Sequence, residues 1–139
     1  MRPVGATGRT SPPRSPAGGC GHPPLRHHKG QHITDTDLRF IYITCADGAE
    51  AEKIARALVS ERLAACANIL PGVRSVYRWK GKIEEAAEVA IIAKTRAGLV
   101  DALTERVKAL HSYEVPCVVA LPITGGNRDF LGWIEEETR

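Results

Sequence analysis

From Arg39 onward the apolar positions switch between strand-like runs and helix-like spacing, and the switches mark out the elements. Arg39 to Ala46 (RFIYITCA) is short and dense in β-branched and aromatic residues, which predicts a buried strand. Asp47 with Glu50 three positions on has the spacing of a capping box. Ala51, Ile54, Ala55, Leu58 and Val59 then recur at helical spacing, predicting an amphipathic helix to about Ala64. Cys66 to Trp79 reads as a strand on both sides of Pro71-Gly72, where a missing donor and a permissive glycine predict a kink or bulge. A tight turn at Lys80-Gly81 or Gly81-Lys82 leads into a second long strand, Ile83 to Thr95, so the two form a long hairpin. Leu99, Leu103, Val107 and Leu110 mark a second helix, and Val115 to Ile123 a last strand. Gly125-Gly126 breaks that strand, Asn127 can cap, and Phe130 with Trp133 or Ile134 defines a final helix.

The order β-α-β-β-α-β plus a C-terminal helix is the split βαβ arrangement of an α+β, ferredoxin-like fold. Two helices then cover one face of a four-stranded antiparallel sheet. In a lone domain the other face turns polar, yet here both parities are apolar. Ile41, Ile43 and Cys45 alternate with Phe40, Tyr42 and Thr44, and Val119 and Leu121 alternate with Val118 and Ala120. Such a sheet needs a cover on each side. The last helix offers few apolar positions, so the expectation is an obligate homo-oligomer rather than a helix wrapped over the second face.

Charge narrows the classes of function. Residues 1–38 carry five basic and two acidic residues, which leaves fourteen of each sign from Arg39 to the end. A balanced domain lacks the cationic surplus that nonspecific nucleic-acid binding requires. EVAIIAKT (Glu88 to Thr95) has no aromatic on which RNA bases would stack. The longest nearly apolar stretch, Val115 to Ile123, is far too short to span a membrane and contains two prolines. Neither nucleic acid nor membrane is an expected partner. Four cysteines without a C-x-x-C pair point to free thiols in a reducing compartment, and the expected location is cytoplasmic.

The first 38 residues hold six of the nine prolines, six of the thirteen glycines and four of the five histidines, and are read as a disordered extension preceding a domain at 39–139. The segment lacks the apolar core of a secretory signal, and its Pro and Gly spoil the amphipathic helix of an organelle transit peptide. His22, His27, His28 and His32 lie in a segment that would have to be ordered before it could chelate, so a solvated tail is the reading over a chelating one.

No G-x-S-x-G, P-loop or G-x-G-x-x-G is present, and no enzymatic activity is expected. Glu84-Glu85 and Glu135-Glu136-Glu137 read as solvated faces. The compact chemical group is His111-Ser112-Tyr113-Glu114, followed by Cys117, at the junction of the second helix and last strand. It offers borderline and soft donors for copper or zinc, and the topology can bring His111 near Cys45. The bland reading of His111 is a residue favoured by the helix dipole at a C-terminus. Lys94, near the end of an apolar strand, is either a snorkelling side chain or an anion anchor.

ERLAACANI from Glu61, PGVRSVYRWKGKIEE from Pro71, EVAIIAKT from Glu88, HSYEVP from His111 and ALPITGGNRDFLGWI from Ala120 occur in that order. Together they resemble the CutA divalent-cation tolerance family over residues 39–139. The resemblance implies a non-enzymatic, ferredoxin-like homotrimer whose long hairpin strands pair between subunits. It implies copper or another divalent cation as ligand, with none required for folding. It maps metal donors onto Cys45, His111 and Cys117. Two departures stand out: Ser112 replaces the usual Pro, and Cys117 stands where the family commonly has Glu, which tilts that position toward soft ions. The family's likeness to nitrogen-regulatory PII proteins implies an alternative, a signalling protein that binds a small anionic metabolite between subunits. Its pocket would use Trp79, Lys94, Tyr113 and Glu114.

Overall fold

The computed structural model describes residues 37–139, so the expectations for the extension up to residue 36, its four histidines included, lie outside the described residues. The elements are β1 (Leu38–Cys45), α1 (Gly48–Ser60), β2 (Cys66–Trp79), β3 (Lys82–Arg96), α2 (Val100–Leu110), β4 (Val118–Pro122) and α3 (Arg128–Glu137). A 3₁₀ turn, Ala97–Leu99, leads into α2. The sheet order is β2-β3-β1-β4 and every pairing is antiparallel. This is the expected β-α-β-β-α-β arrangement with an added C-terminal helix.

Strand alternation builds the main core. Ile41, Ile43 and Cys45 of β1 and Ile91 and Ala93 of β3 point to one face, where Ile54 and Leu58 of α1 and Leu103 and Val107 of α2 close over them. Helix α1 starts where expected, with Asp47 Oδ1 accepting from the Glu50 N–H at 2.9 Å. It ends earlier than expected. Arg62 adopts φ 60, the Arg62 N–H bonds back to Val59 O, and the Leu63 N–H bonds back to Leu58 O. That is a Schellman closure with a non-glycine residue in the left-handed position, and it turns the chain into β2.

The kink expected at Pro71-Gly72 is a bulge. Leu70 stands opposite Ala90 and Val73 opposite Glu88, so Pro71 and Gly72 together face Val89 alone. Gly72 supplies the positive φ of 85 that this step needs. The extra residue reverses side-chain parity along β2. Before the bulge Cys66, Asn68 and Leu70 share the face away from α1 and α2; after it Val73, Ser75, Tyr77 and Trp79 do. The hairpin turn is Lys80-Gly81, with positive φ at both residues, as a two-residue turn of the I′ type requires.

Two further boundaries differ from the expected ones. Leu38 already belongs to β1 and is buried, because α3 lays Leu131 and Ile134 against it and Ala65 in a second, smaller core. Pairing with β1 begins only at Val118, so Val115 to Cys117 form an irregular approach that Pro116, lacking an N–H, cannot extend as ladder. Helix α3 starts after Asn127, whose Oδ1 accepts from the Asp129 N–H, and covers one end of the second sheet face. Beyond it Val119 and Leu121 remain 49% and 47% exposed.

Candidate functional site

Two groups of residues meet at the C-terminal end of β1. The first is a cluster of the buried Cys45 with the half-buried Glu50 and His111, whose Sγ, carboxylate oxygen and ring nitrogen lie within 4.8 Å of one another. Cys45 arrives as the last residue of β1, Glu50 from the first turn of α1, and His111 as the residue that ends α2. His111 thus meets Cys45 because α2 runs back across the sheet and stops above the end of β1.

Two of the three donors, His111 and Glu50, are already engaged. His111 Nε2 lies 2.8 Å from the Thr44 carbonyl, an acceptor, so Nε2 carries the proton. Nδ1 is left to accept from the Tyr113 N–H at 3.1 Å. Glu50 Oε1 accepts from the Ala46 N–H at 2.9 Å, and Oε2 from the Ser112 N–H at 2.6 Å. The capping-box spacing predicts that Glu50 reaches back to the Asp47 N–H; its first oxygen takes the Ala46 N–H instead, and its second fastens the 111–113 loop to α1. Burial pulls the Glu50 carboxyl upward, but the donors at Ala46 and Ser112 and the nearby His111 outweigh it and hold the group below its ordinary range. Burial pushes the Cys45 thiol from 9.0 to about 12, helped by the negative charges of Glu50, Glu88 and Asp47.

In kind and spacing the set fits a borderline or soft divalent cation. A cation enters only by exchange: Sγ must lose its proton, Nδ1 must release Tyr113, and Glu50 must loosen Ala46 or Ser112. Ser112 matters here because a proline at its place has no N–H to give.

Cys117 stands outside this cluster. It lines the second group, an open cleft of about 570 Å³ on the sheet face away from α1 and α2. Tyr42 and Thr44 of β1, Ser75, Val76, Tyr77 and Trp79 of β2, Glu88 of β3, and Tyr113, Glu114, Val115 and Cys117 of the approach to β4 form its walls. The parity reversal at the bulge is what brings Ser75, Tyr77 and Trp79 to the face of Glu88. Glu88 is 8% exposed. Ser75 Oγ donates to its Oε1 and Tyr113 OH to its Oε2, both at 2.6 Å. Burial, followed by the hydrogen bond and the charge of Glu88, raises the Tyr113 phenol above the usual tyrosine range, so it stays a donor.

Of the four residues expected in a ligand pocket, Trp79, Tyr113 and Glu114 line this cleft and Lys94 does not. Its Nζ donates to Asn68 Oδ1 at 2.7 Å, beside Cys66 on the same β2 segment. Lys94, on β3, stands opposite Cys66, where β2 has not yet reached the bulge, and the aromatic walls on β2 come after the bulge. The sequence reading missed Glu50 and Glu88. The signal for Glu88 was a mid-strand carboxylate at the head of the apolar run Val89 to Ala93; Glu50 gave only its capping signal.

Residues 39–137 match the family described as CutA1 divalent ion tolerance protein. The chain is 50% identical over 99 residues to the chloroplastic CutA 1 protein of Oryza sativa subsp. japonica, a match covering 71% of this chain and 56% of that protein. It is 51% identical over 98 residues to the divalent-cation tolerance protein CutA of Thermus thermophilus, covering 70% of this chain and 95% of that one. The crystal structure of CutA from Xylella fastidiosa superposes with a TM-score of 0.73 at 44% identity, covering 75% of this chain and all of the other. The chain spans little more than half the length of the plant relative. Among the described residues no helix is long and apolar enough to cross a membrane.

Proposed function

Because this chain belongs to the CutA1 divalent ion tolerance family, we propose that it is a non-enzymatic homotrimer that takes up a divalent cation, copper by preference, as cargo in exchange for protons. The observation that carries the cation reading is the convergence of Cys45, Glu50 and His111 within 4.8 Å. A thiol, an imidazole and a carboxylate favour copper or zinc over harder ions. Here Glu50 takes the place that the family resemblance gave to Cys117.

The trimer is supported by the second face of the sheet. Tyr42 of β1, Ile92 of β3 and Val119 of β4 share it at one register level, and the hairpin carries Val76 and Ile83 at 67% and 61% exposure. Burying such a surface contributes roughly 25 cal/mol per Å². Unbonded strand edges at β2 and β4 give neighbouring copies a template for pairing. A cytoplasmic location is supported by three free cysteines, Cys45, Cys66 and Cys117, among the described residues.

The alternative, an anionic metabolite held as in a PII-like sensor, has no observation in its favour. Its anchor, Lys94, is committed to Asn68, and the cleft walls carry carboxylates instead.

The test uses the full chain with His22, His27, His28 and His32 replaced by glutamine. Copper titration is expected to give one high-affinity ion per protomer, lost in the Cys45→Ala/His111→Ala variant. Equal stoichiometry and affinity in both chains removes these residues from the site. Sedimentation equilibrium on the same preparations is expected to give three times the protomer mass, and a folded monomer at micromolar concentration contradicts the assembly.

A further inference from the structure

The atom that a cation needs at the Cys45 cluster is the atom that holds Tyr113. His111 Nδ1 faces Glu50 Oε2 at 3.8 Å, while Nε2 is turned onto the Thr44 carbonyl. An ion held by Cys45, Glu50 and His111 therefore takes Nδ1. The acceptor nitrogen of a neutral imidazole has one lone pair, and Nδ1 already uses it for the Tyr113 N–H at 3.1 Å. Ion and amide exclude each other there. Glu50 Oε2, with two lone pairs, need only loosen its hold on Ser112, so the exclusion falls on Tyr113.

Tyr113 is tied at its other end to the opposite face of the sheet. Its hydroxyl donates to Glu88 Oε2, and Ser75 Oγ donates to Oε1 of the same carboxylate, both at 2.6 Å. A buried carboxylate is costly to leave short of a donor, and a bond to a charged acceptor is stronger than one to a neutral ring nitrogen. When the amide is displaced the hydroxyl bond therefore persists, and Glu88 moves with it. Ser75 carries that movement from β3 to β2 beyond the bulge, where Tyr77 and Trp79 share its face. That half of the hairpin belongs to the surface assigned above to contact between copies, and a link of this kind requires none of these residues to be reachable from solvent. The Tyr113 amide has two arrangements, on Nδ1 or off it, and both the ion and the contact surface bias the choice. Linkage makes the effect reciprocal. We propose that Tyr113 couples the two sites: an ion taken by His111 Nδ1 displaces its amide, and the displaced residue draws on Glu88 and Ser75 and shifts the Trp79 half of the hairpin, where copies meet. The coupling rests on cation uptake at Cys45, Glu50 and His111.

The experiment uses the full chain with the tail histidines replaced and Trp133→Phe, so that Trp79 is its one tryptophan. Zinc is the probe, because it has no redox chemistry with the thiol. Zinc binding by calorimetry, hydrogen exchange at the Tyr113 amide and Trp79 emission are read on the same preparations. Exchange at Tyr113 is expected to speed up about tenfold or more in the loaded chain, and Trp79 emission to shift with the midpoint of zinc binding. Tyr113→Phe keeps the amide and the ring but lacks the hydroxyl. It is expected to bind zinc and to free its amide, yet to lose the Trp79 shift. Ser75→Ala, which leaves Tyr113 and Glu88 in place, is expected to lose the shift in the same way. Zinc that binds at the cluster without speeding exchange at Tyr113, without moving Trp79, or with a Trp79 shift that persists in both variants overturns the coupling and leaves cation uptake standing. Zinc that binds equally in Cys45→Ala/His111→Ala overturns cation uptake at the cluster and the coupling with it, so the two failures are told apart.

Discussion

The Tyr113 hydroxyl donates to Glu88 at 2.6 Å, while the amide of the same residue donates to His111 Nδ1. One residue therefore ties the cation cluster to the cleft, and its ring stands 4.6 Å from that of His111, centroid to centroid.

Tyr113→Phe removes one of the two hydroxyls on the buried Glu88. Leaving such a group short of a donor costs about 1–3 kcal/mol. Urea unfolding is expected to show a loss of that size. In a cycle with Glu88→Gln the two effects should be less than additive; strict additivity would mean the hydrogen bond carries no coupling energy.

Gly72→Ala tests the bulge. A methyl at Gly72 meets nothing within 4 Å, so any cost comes from the backbone at φ +85. That cost is about 1–2 kcal/mol, read from denaturant midpoints. A neutral substitution would show that the bulge relaxes and that the parity of Ser75, Tyr77 and Trp79 is not fixed by it.

Ser112→Pro removes the N–H that occupies Glu50 Oε2. His111 is already extended, with ψ 148, so a following proline fits. Losing a hydrogen bond to a charged group costs about 1.5–3 kcal/mol, offset in part by reduced unfolded-chain entropy. Copper affinity is expected to rise, because one oxygen of the donor set becomes available. An unchanged or lower affinity would argue that Glu50 plays no part in the site.

Much of this was readable along the chain because it is local. The caps at Asp47 and Asn127, the Lys80-Gly81 turn and the face of Ile41, Ile43 and Cys45 each depend on a few neighbouring residues and on strand period. The approach of His111 to Cys45 follows from element order alone. Glu50 and Glu88 were not readable in the same way. Glu50 acquires its second role only when the 111–113 loop, sixty residues on, folds against it. Glu88 gains its aromatic surroundings through the extra residue at Pro71-Gly72, whose effect on the parity of β2 a residue pattern does not display. The position of Lys94 failed for the same reason. Its apolar strand was visible, but its partner Asn68 is set by register.

The Cys45 thiol titrates at about 12 in the fold against an ordinary 9.0. Its folded value is raised, so the stabilisation it contributes is complete below about pH 9 and is lost as pH climbs from there toward 12. The loss is about 1.4 kcal/mol per pH unit for the one proton. Stability measured from pH 8 to 11 is expected to fall more steeply in the native chain than in Cys45→Ala. Parallel curves would show that the thiol is not held protonated by the fold.

Exchange of protons for the cation is the claim on which the functional account rests, and proton release measures it directly. Zinc, which is redox-inert toward the thiol, is added at constant pH to the chain whose tail histidines are replaced, and the base needed to hold pH is recorded. The account predicts about one proton released per ion bound at pH 7 from Cys45, an affinity that rises roughly tenfold per pH unit, and loss of both in Cys45→Ala/His111→Ala. Binding that releases no proton, or that keeps its affinity in the double variant, would contradict it.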